Sequence, residues 1–449
     1  MVELERRGVP TVSWTAAHFV ADARRSARHF GLPHLPLAVM PLPFTNQPPE
    51  RIRAMVDEAW PQVVAGLTQP VADEPVPEPR VQPAEVLTFE GSDLLAAAAQ
   101  MQQQFLAEGW SDGLPLLPPT PQAVEAMLKG TTLSPDTVVA TLEPGFGLAT
   151  VEKLAINAVM AGCQPPHLPV LIAAVRCLAE PRMYLRNKAM STGPHAPLLL
   201  VNGPLAKTLR LNAGCCALGP GAPSYANTVI GRAVRLIMMN VGHTYPGVSD
   251  MDTIGSPLKY SLCVAENVDD SPWPPYHVEK GFDAETSTVT VQFVYGMCEL
   301  HDFSSTTPER LAAVFCTAIT NVAQVGTGLW LIGRRADPRY GVEEKEHNLL
   351  LVCPEHARLF AEAGWSKARL RQHLYAKARL PFETLMLNKE AQAFALAHPE
   401  LQWLHDSPQT LLPVVEDPEC FDIAVVGGAA GRGAYFYGAG APVTKPIEP

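Results

Sequence analysis

Between Leu349 and Ala357 the chain reads Leu-Leu-Leu-Val-Cys-Pro-Glu-His-Ala, which sets a thiol, a carboxylate and an imidazole close together. The apolar run reads as a buried strand that stops at Cys353. Pro354 suits the first turn of a helix, where its missing N–H would have no partner anyway. Glu355 and His356 then fall in that first turn. A thiol at a helix N-terminus feels the positive end of the helix dipole, which favours the thiolate. With His356 as general base or acid, this is the pattern of a nucleophilic or redox-active cysteine. The competing reading is a packed structural cysteine followed by a surface histidine.

Three more apolar runs end in reactive or flexible residues: Leu262-Cys-Val-Ala-Glu266-Asn267, Gly296-Met-Cys298-Glu-Leu-His301-Asp302, and Phe421–Val426 followed by the glycines at 427–433. In open α/β sheets ligands bind beyond the carboxyl ends of strands. Were these strands parallel neighbours, Glu266, Cys298, His301, Asp302, Cys353 and His356 would converge, with Asn267 beside them. Asp302 is placed to orient a catalytic or metal-bound His301; the plainer reading is a turn pair. Metal ligation by His301, Asp302 and His356 stays open, although no compact spacing such as His-x-x-x-His supports it, and no motif names a cofactor. Cys263 and Cys298 lie inside apolar runs, where a packed free thiol is common. Gly427, Gly428 and their neighbours can wrap an anion with backbone N–H groups, helped by Arg432. They do not match Gly-x-Gly-x-x-Gly, and the extended look of Ala434–Tyr437 favours a hairpin or tight turn. Lys153 and Asn157, four apart, share one helix face. A buried Lys153 would need a substrate carboxylate or Glu266; a solvated lysine is the alternative. Arg232 and Arg235, on an apolar helix, more often answer acids within the protein.

The rest of the chain sets bounds. Its 449 residues can bury a large core and more than one domain. The net charge of −11 argues against nucleic acid or an anionic membrane as partner. No segment approaches the roughly 18 apolar residues of a membrane helix, and the N-terminus shows no signal core. Nine cysteines, an odd count without framework spacing, read as reduced thiols in a cytoplasmic protein. Cys215 and Cys216 are adjacent, which does not suit a tetrahedral metal site.

The elements that must carry these residues follow α/β logic. Residues 2–7 read as the last turns of a helix closed by Gly8, Pro10–Trp14 as a strand, 15–30 as an amphipathic helix, Leu35–Met40 as a strand and Pro49–Leu67 as a helix. This is a small βαβα unit over 1–69 with parallel strands, and the chain enters it partway through. Residues 70–90, rich in Pro and Glu, read as a stiff linker. Residues 91–449 read as a large α/β domain with a mostly parallel or mixed sheet. Its helices cover 94–108, a segment starting at Thr120 and Pro121, 151–161, 167–178, 227–240, 308–325, 355–363 and 366–379. Its strands cover 196–202, 258–264, 287–296, 329–332, 349–352 and 421–426.

Residues 3–67, carried by Glu3-Leu-Glu-Arg-Arg-Gly-Val-Pro-Thr-Val12 and the helix to Gly31-Leu-Pro33, resemble the bacterial selenoproteins and cysteine homologues named for a selenocysteine-Gly-Ser-Cys motif (UGSC-type). That motif would precede this stretch and is absent from the sequence, which starts at Met1. An upstream start, or a separate small subunit carrying the motif, would reconcile the two. Residues 109–449 resemble large bacterial proteins associated with the same family, through Gly109-Trp-Ser-Asp-Gly-Leu-Pro115, Thr150–Pro169, Thr228–Gly247, Gly255–Trp273, Pro354–Lys367 and Gly427–Ile447. The resemblance implies thiol- or selenol-based chemistry on a small molecule and transfers no catalytic residue. The expectation is a thiol enzyme. The rivals are a hydrolase or lyase using the same acids and imidazoles, with or without a metal, and a non-catalytic partner or substrate-binding subunit. A homo-oligomer is also open, since the 227–240 helix can serve as an interface or as core.

Overall fold

Alternation along the strands decides how the main body is built. In strand β8 (Asn348–Val352), Leu349 and Leu351 face one way and Leu350 and Val352 the other, and both pairs are buried. A strand buried on both faces needs cover on both. The computed structural model supplies it; it describes residues 1–41, 43, 47–71, 80–81, 85–323, 345–385, 402–429, 431–438 and 440–448. The seven-stranded mixed sheet runs β11 (Phe421–Val425), β8, β12 (Arg432–Gly438), β7 (Thr288–His301), β5 (Ala196–Asn202), β6 (Cys263–Ala265), with β13 (Val443–Pro446) also on β7. β11 and β8 are parallel, as are β5 and β6; the remaining pairs are antiparallel.

The sheet curls on itself. Leu198, Leu200, Val264, Val294, Leu349, Leu351, Ala424 and Phe436 come from six strands yet form one interior cluster. The outer edges meet where Asn267 N–H donates to Val425 O at 2.7 Å. Outside the curl, helices Val151–Ala161, Leu168–Leu178 and Tyr225–Asn240 cover the β5–β6 side. Helices Pro308–Val322, Pro354–Glu362 and Lys367–Lys377 cover the β8–β11 side. Local capping follows the sequence: Thr150 accepts from Lys153 N, and Gly162 ends that helix in the left-handed region at φ 93°.

The N-terminal unit holds a parallel pair, β1 (Ser13–Ala16) with β2 (Leu37–Met40), and helices Val2–Arg6, Val20–His29 and Pro49–Thr68. In the stretch read as a linker, the described residues 85–90 carry no regular element. Among the described residues no helix is long and apolar enough to cross a membrane.

Several expectations change: the strand read at 258–264 is a 3-10 turn at Pro257–Lys259 followed by the short strand Cys263–Ala265. The run at 427–437 is not a hairpin: β12 pairs with β8 and β7, so the turn steps over β8 instead of folding β12 against β11. The strand read at 287–296 continues to His301, because Gly296 does not break it. A Cβ at Gly296 would come within 2.2 Å of the Tyr437 hydroxyl, so glycine is there for the crossing ring. The strand expected at Leu329–Ile332 lies outside the described residues.

Candidate active site

One end of the curled sheet gathers the carboxyl ends of β7, β8 and β11 and the start of β12. In register, Val425 lies beside Val352 and Arg432 beside His301. The chain leaves β8 through Cys353, the N-cap of the Pro354–Glu362 helix, with Pro354 in the first turn. This places His356 one turn inside the helix, over its own N-cap residue. Both are buried: Cys353 is 1% and His356 5% exposed.

The imidazole is held on two sides. Its Nε2 lies 2.9 Å from the Asp302 backbone oxygen. A carbonyl only accepts, so Nε2 carries a proton. The ring packs edge-on to Phe315 with centroids 5.6 Å apart. Nδ1 is buried without a hydrogen-bond partner, and the nearby Cys353 thiol acts on the ring's charge. Cys353 accepts no full capping hydrogen bond. Burial opposes its ionisation, but the His356 imidazole and the N–H groups of His356 and Arg432 outweigh burial and bring the thiol below its ordinary pKa. Burial likewise disfavours charge on His356, yet the facing thiol and the Asp302 carbonyl raise its pKa. The two shifts run in the directions a thiolate–imidazolium pair requires.

The other thiols make the contrast. Burial pushes Cys316 up to about 11 and Cys177, Cys263 and Cys420 to about 12; Cys163 and Cys298 also rise by burial. Cys263 and Cys298 therefore match the packing reading. All nine cysteines are free.

Gly431 completes the corner. A Cβ there would lie 2.0 Å from the Asp302 oxygen and 2.9 Å from His356 Nε2. We expect Gly431→Ala to push the Asp302 oxygen off the ring, lower the His356 pKa and cost about 1–3 kcal/mol by overpacking. An NMR titration of His356 checks the first effect and a denaturant melt the second; an unmoved titration would count against the placement.

The remaining expected site residues divide. Asp302 contributes its backbone oxygen to His356, while its carboxylate accepts from Ser304 N, Ser305 N and Ser305 Oγ at 2.7–3.0 Å. It does not orient His301, whose exposed ring lies edge-on to Phe303, 4.5 Å between centroids. Glu355 is exposed. The Arg432 side chain pairs with Glu299 and lies 5.3 Å over Phe303, so its backbone, not its guanidinium, reaches Cys353. Asn267 bonds Asp270 and the Gly427 oxygen, and Gly427 N–H donates to Ala213 O. The glycine run is thereby held within the protein at Gly427.

Glu266 sits behind this end of the sheet. Its carboxylate accepts from Asn202 Nδ2 at 2.5 Å and Tyr276 N at 2.6 Å, and faces Lys367 Nζ at 3.5 Å. Those partners tie the carboxylate into the protein's own hydrogen-bond network. Lys153 and Asn157 belong elsewhere, on the helix over the β5–β6 side. Lys153 Nζ donates to Leu148 O at 3.1 Å, and Asn157 accepts from Asn240. Asn157 lines an apolar cavity of about 710 Å³ with Phe105 and Trp110, which holds no thiol or imidazole. As expected, the arginines answer internal acids: Arg232 grips Asp112 through two bonds of 2.7 and 2.9 Å, and Arg235 pairs with Asp250.

Sequence reasoning missed a buried cluster around Asp422. Its carboxylate accepts from Lys280 Nζ at 2.7 Å and Tyr276 Oη at 3.1 Å, and lies 2.8 Å from His347 Nδ1. Burial opposes its charge, but His347 and Lys280 hold it far below the usual carboxylate range. The available signal was an acid in the apolar run Phe-Asp-Ile-Ala-Val. Lys367, 2% exposed inside a helix, left no comparable signal. Among the described residues no group of three or more His, Cys, Asp or Glu is placed to hold a metal.

Residues 1–69 match the model of the UGSC family, in agreement with the resemblance of that segment. No curated protein and no solved structure matches the chain.

Proposed function

We propose that this protein, with its UGSC-type N-terminal unit, is a cytoplasmic enzyme that uses Cys353 as a nucleophile on a small molecule. The observation that carries the reading is the Cys353–His356 pair: the one thiol whose pKa is brought down faces an imidazole whose pKa is raised. The Cys353 sulfur forms the bond to an electrophilic carbon or sulfur, and the bond from that atom to its leaving group breaks. His356 delivers its proton to the departing group. The N–H groups of His356 and Arg432, which favour the thiolate, also suit negative charge that builds during attack. A sulfur this deep admits a compact electrophile. Thiol exchange and acyl transfer both fit these parts, and the substrate class is fixed by experiment.

The test offers the purified full chain a panel of small disulfides and thioesters and maps adducts by peptide mass spectrometry. A trapped adduct on Cys353, lost in Cys353→Ser, supports the reading. Turnover that survives in Cys353→Ser overturns it.

A further inference from the structure

Two thiols outside the Cys353 pair remain unexplained. Cys215 and Cys216 are both exposed, on the loop between Leu211 and Tyr225. Successive side chains on extended backbone point to opposite sides. Here Cys216 takes the left-handed region at φ 56°, and the two sulfurs lie 3.9 Å apart. A non-glycine residue holds that conformation only where its surroundings impose it. They do so through side chains clamped on the loop's own carbonyls. Asn212 Nδ2 donates to Cys215 O at 2.8 Å, and Ser224 Oγ to Cys216 O at 2.7 Å. Asn227, 2% exposed, bonds both Asn212 O and Ala217 O. On the other side Cys215 packs on Gly428, where a Cβ would come within 3.2 Å. The dithiol is therefore rigid and open to solvent, and it sits against the segment that leaves β11.

The sulfur spacing distinguishes what the pair can do. A disulfide has about 2.05 Å between sulfurs and usually holds its Cα atoms about 4.4–6.8 Å apart, whereas neighbouring residues are held at about 3.8 Å across a trans peptide. Two sulfurs bound to one central atom by bonds of about 2.3 Å, at a near-tetrahedral angle, lie roughly 3.8 Å apart. The observed 3.9 Å is close to that chelate span, which corrects the expectation that adjacent cysteines do not suit such a centre.

We infer that Cys215 and Cys216 form a second site, a two-thiolate chelate for a thiophilic metal or metalloid centre borne on an organic group. The remaining ligands come from the bound molecule, because no third protein ligand is gathered there among the described residues. The exposure of the pair leaves room for the organic part. With a trivalent arsenical R–As=O the step balances simply. Two S–H bonds give way to two S–As bonds, the oxygen leaves as water with both protons, and arsenic keeps its oxidation state. The site does not rest on the Cys353 reading.

The test titrates the full chain with phenylarsine oxide and counts remaining thiols and bound arsenic by native mass spectrometry. One arsenical per chain, with two thiols consumed, is expected. Cys215→Ser and Cys216→Ser should each weaken binding roughly 10²- to 10⁴-fold, the advantage of a second attachment over a single one. Cys353→Ser should bind as the parent does. Because both side chains are exposed, matching circular dichroism in the variants separates lost chelation from lost fold. Undiminished binding in either serine variant, or loss in Cys353→Ser, overturns the inference.

Discussion

In the His356→Ala protein, alkylation of Cys353 by iodoacetamide at neutral pH is expected to fall roughly 10- to 100-fold, since each unit of thiol pKa is a decade in thiolate below the pKa. The sign follows from the competing influences. Burial alone raises the thiol, as it does at Cys163, Cys177, Cys263 and Cys420. At Cys353 the imidazole and the backbone N–H groups together outweigh burial; removing the ring leaves burial with only the backbone N–H groups against it. The parent's labelling should approach its plateau below the ordinary thiol range, while the variant's rate should still climb above that range. Quantifying the Cys353 peptide across pH checks this, with Cys316 as an internal reference. Coincident profiles in parent and variant would dissolve the pair. The readout is reactivity, so it does not require the natural substrate.

Lys367→Ala is expected to cost about 3–5 kcal/mol, the toll of leaving buried charge without its partner. Lys367 Nζ lies 3.5 Å from Glu266, 3.2 Å from Glu279 and 2.8 Å from the Pro274 oxygen, and its side chain is 1% exposed. Glu279 keeps Arg371 at 3.0 Å, but Glu266, with a fully buried side chain, keeps only neutral donors. The Glu266 carboxylate also lies 3.5 Å from Val425 N–H, at the place where the sheet edges meet. Damage there should spread to both halves of the core. Urea melts of the single variant and of Lys367→Met/Glu266→Gln provide the check. The double variant removes both charges and should recover most of the loss. A single-variant cost below about 1 kcal/mol would mean water reaches the network.

The corner at 353–356 was legible because three signals agree there: an apolar run, a proline suited to a helix start, and polar residues at first-turn positions. The helix at 151–161 was legible for similar reasons, through Thr150 and Gly162. Strand neighbours were not legible. Val264, Leu349 and Ala424 lie in runs buried on both faces, which read alike whether parallel or antiparallel, central or edge. Placing β12 between β8 and β7 depends on contacts far apart in the chain. Individual partners were not legible either: Glu266 meets Lys367, Asp302 meets Ser304 and Ser305, and Lys153 meets Leu148. Spacing along a sequence shows which groups share a face, but not which carbonyl or ammonium arrives first from another element. The Cys215–Cys216 geometry was hidden because adjacency implies divergence unless the backbone turns left-handed, as it does at Cys216.

The meeting of Asn267 with Val425 also bears on how this chain behaves among its own copies. An open sheet ends in unpaired amides that invite another molecule to add a strand, and proteins guard such rims with charge, proline or short edges. Here β6 and β11 turn their rims toward each other and the outer helices close over the rest. A fold rich in apolar strands thus turns two of its rims toward each other instead of outward.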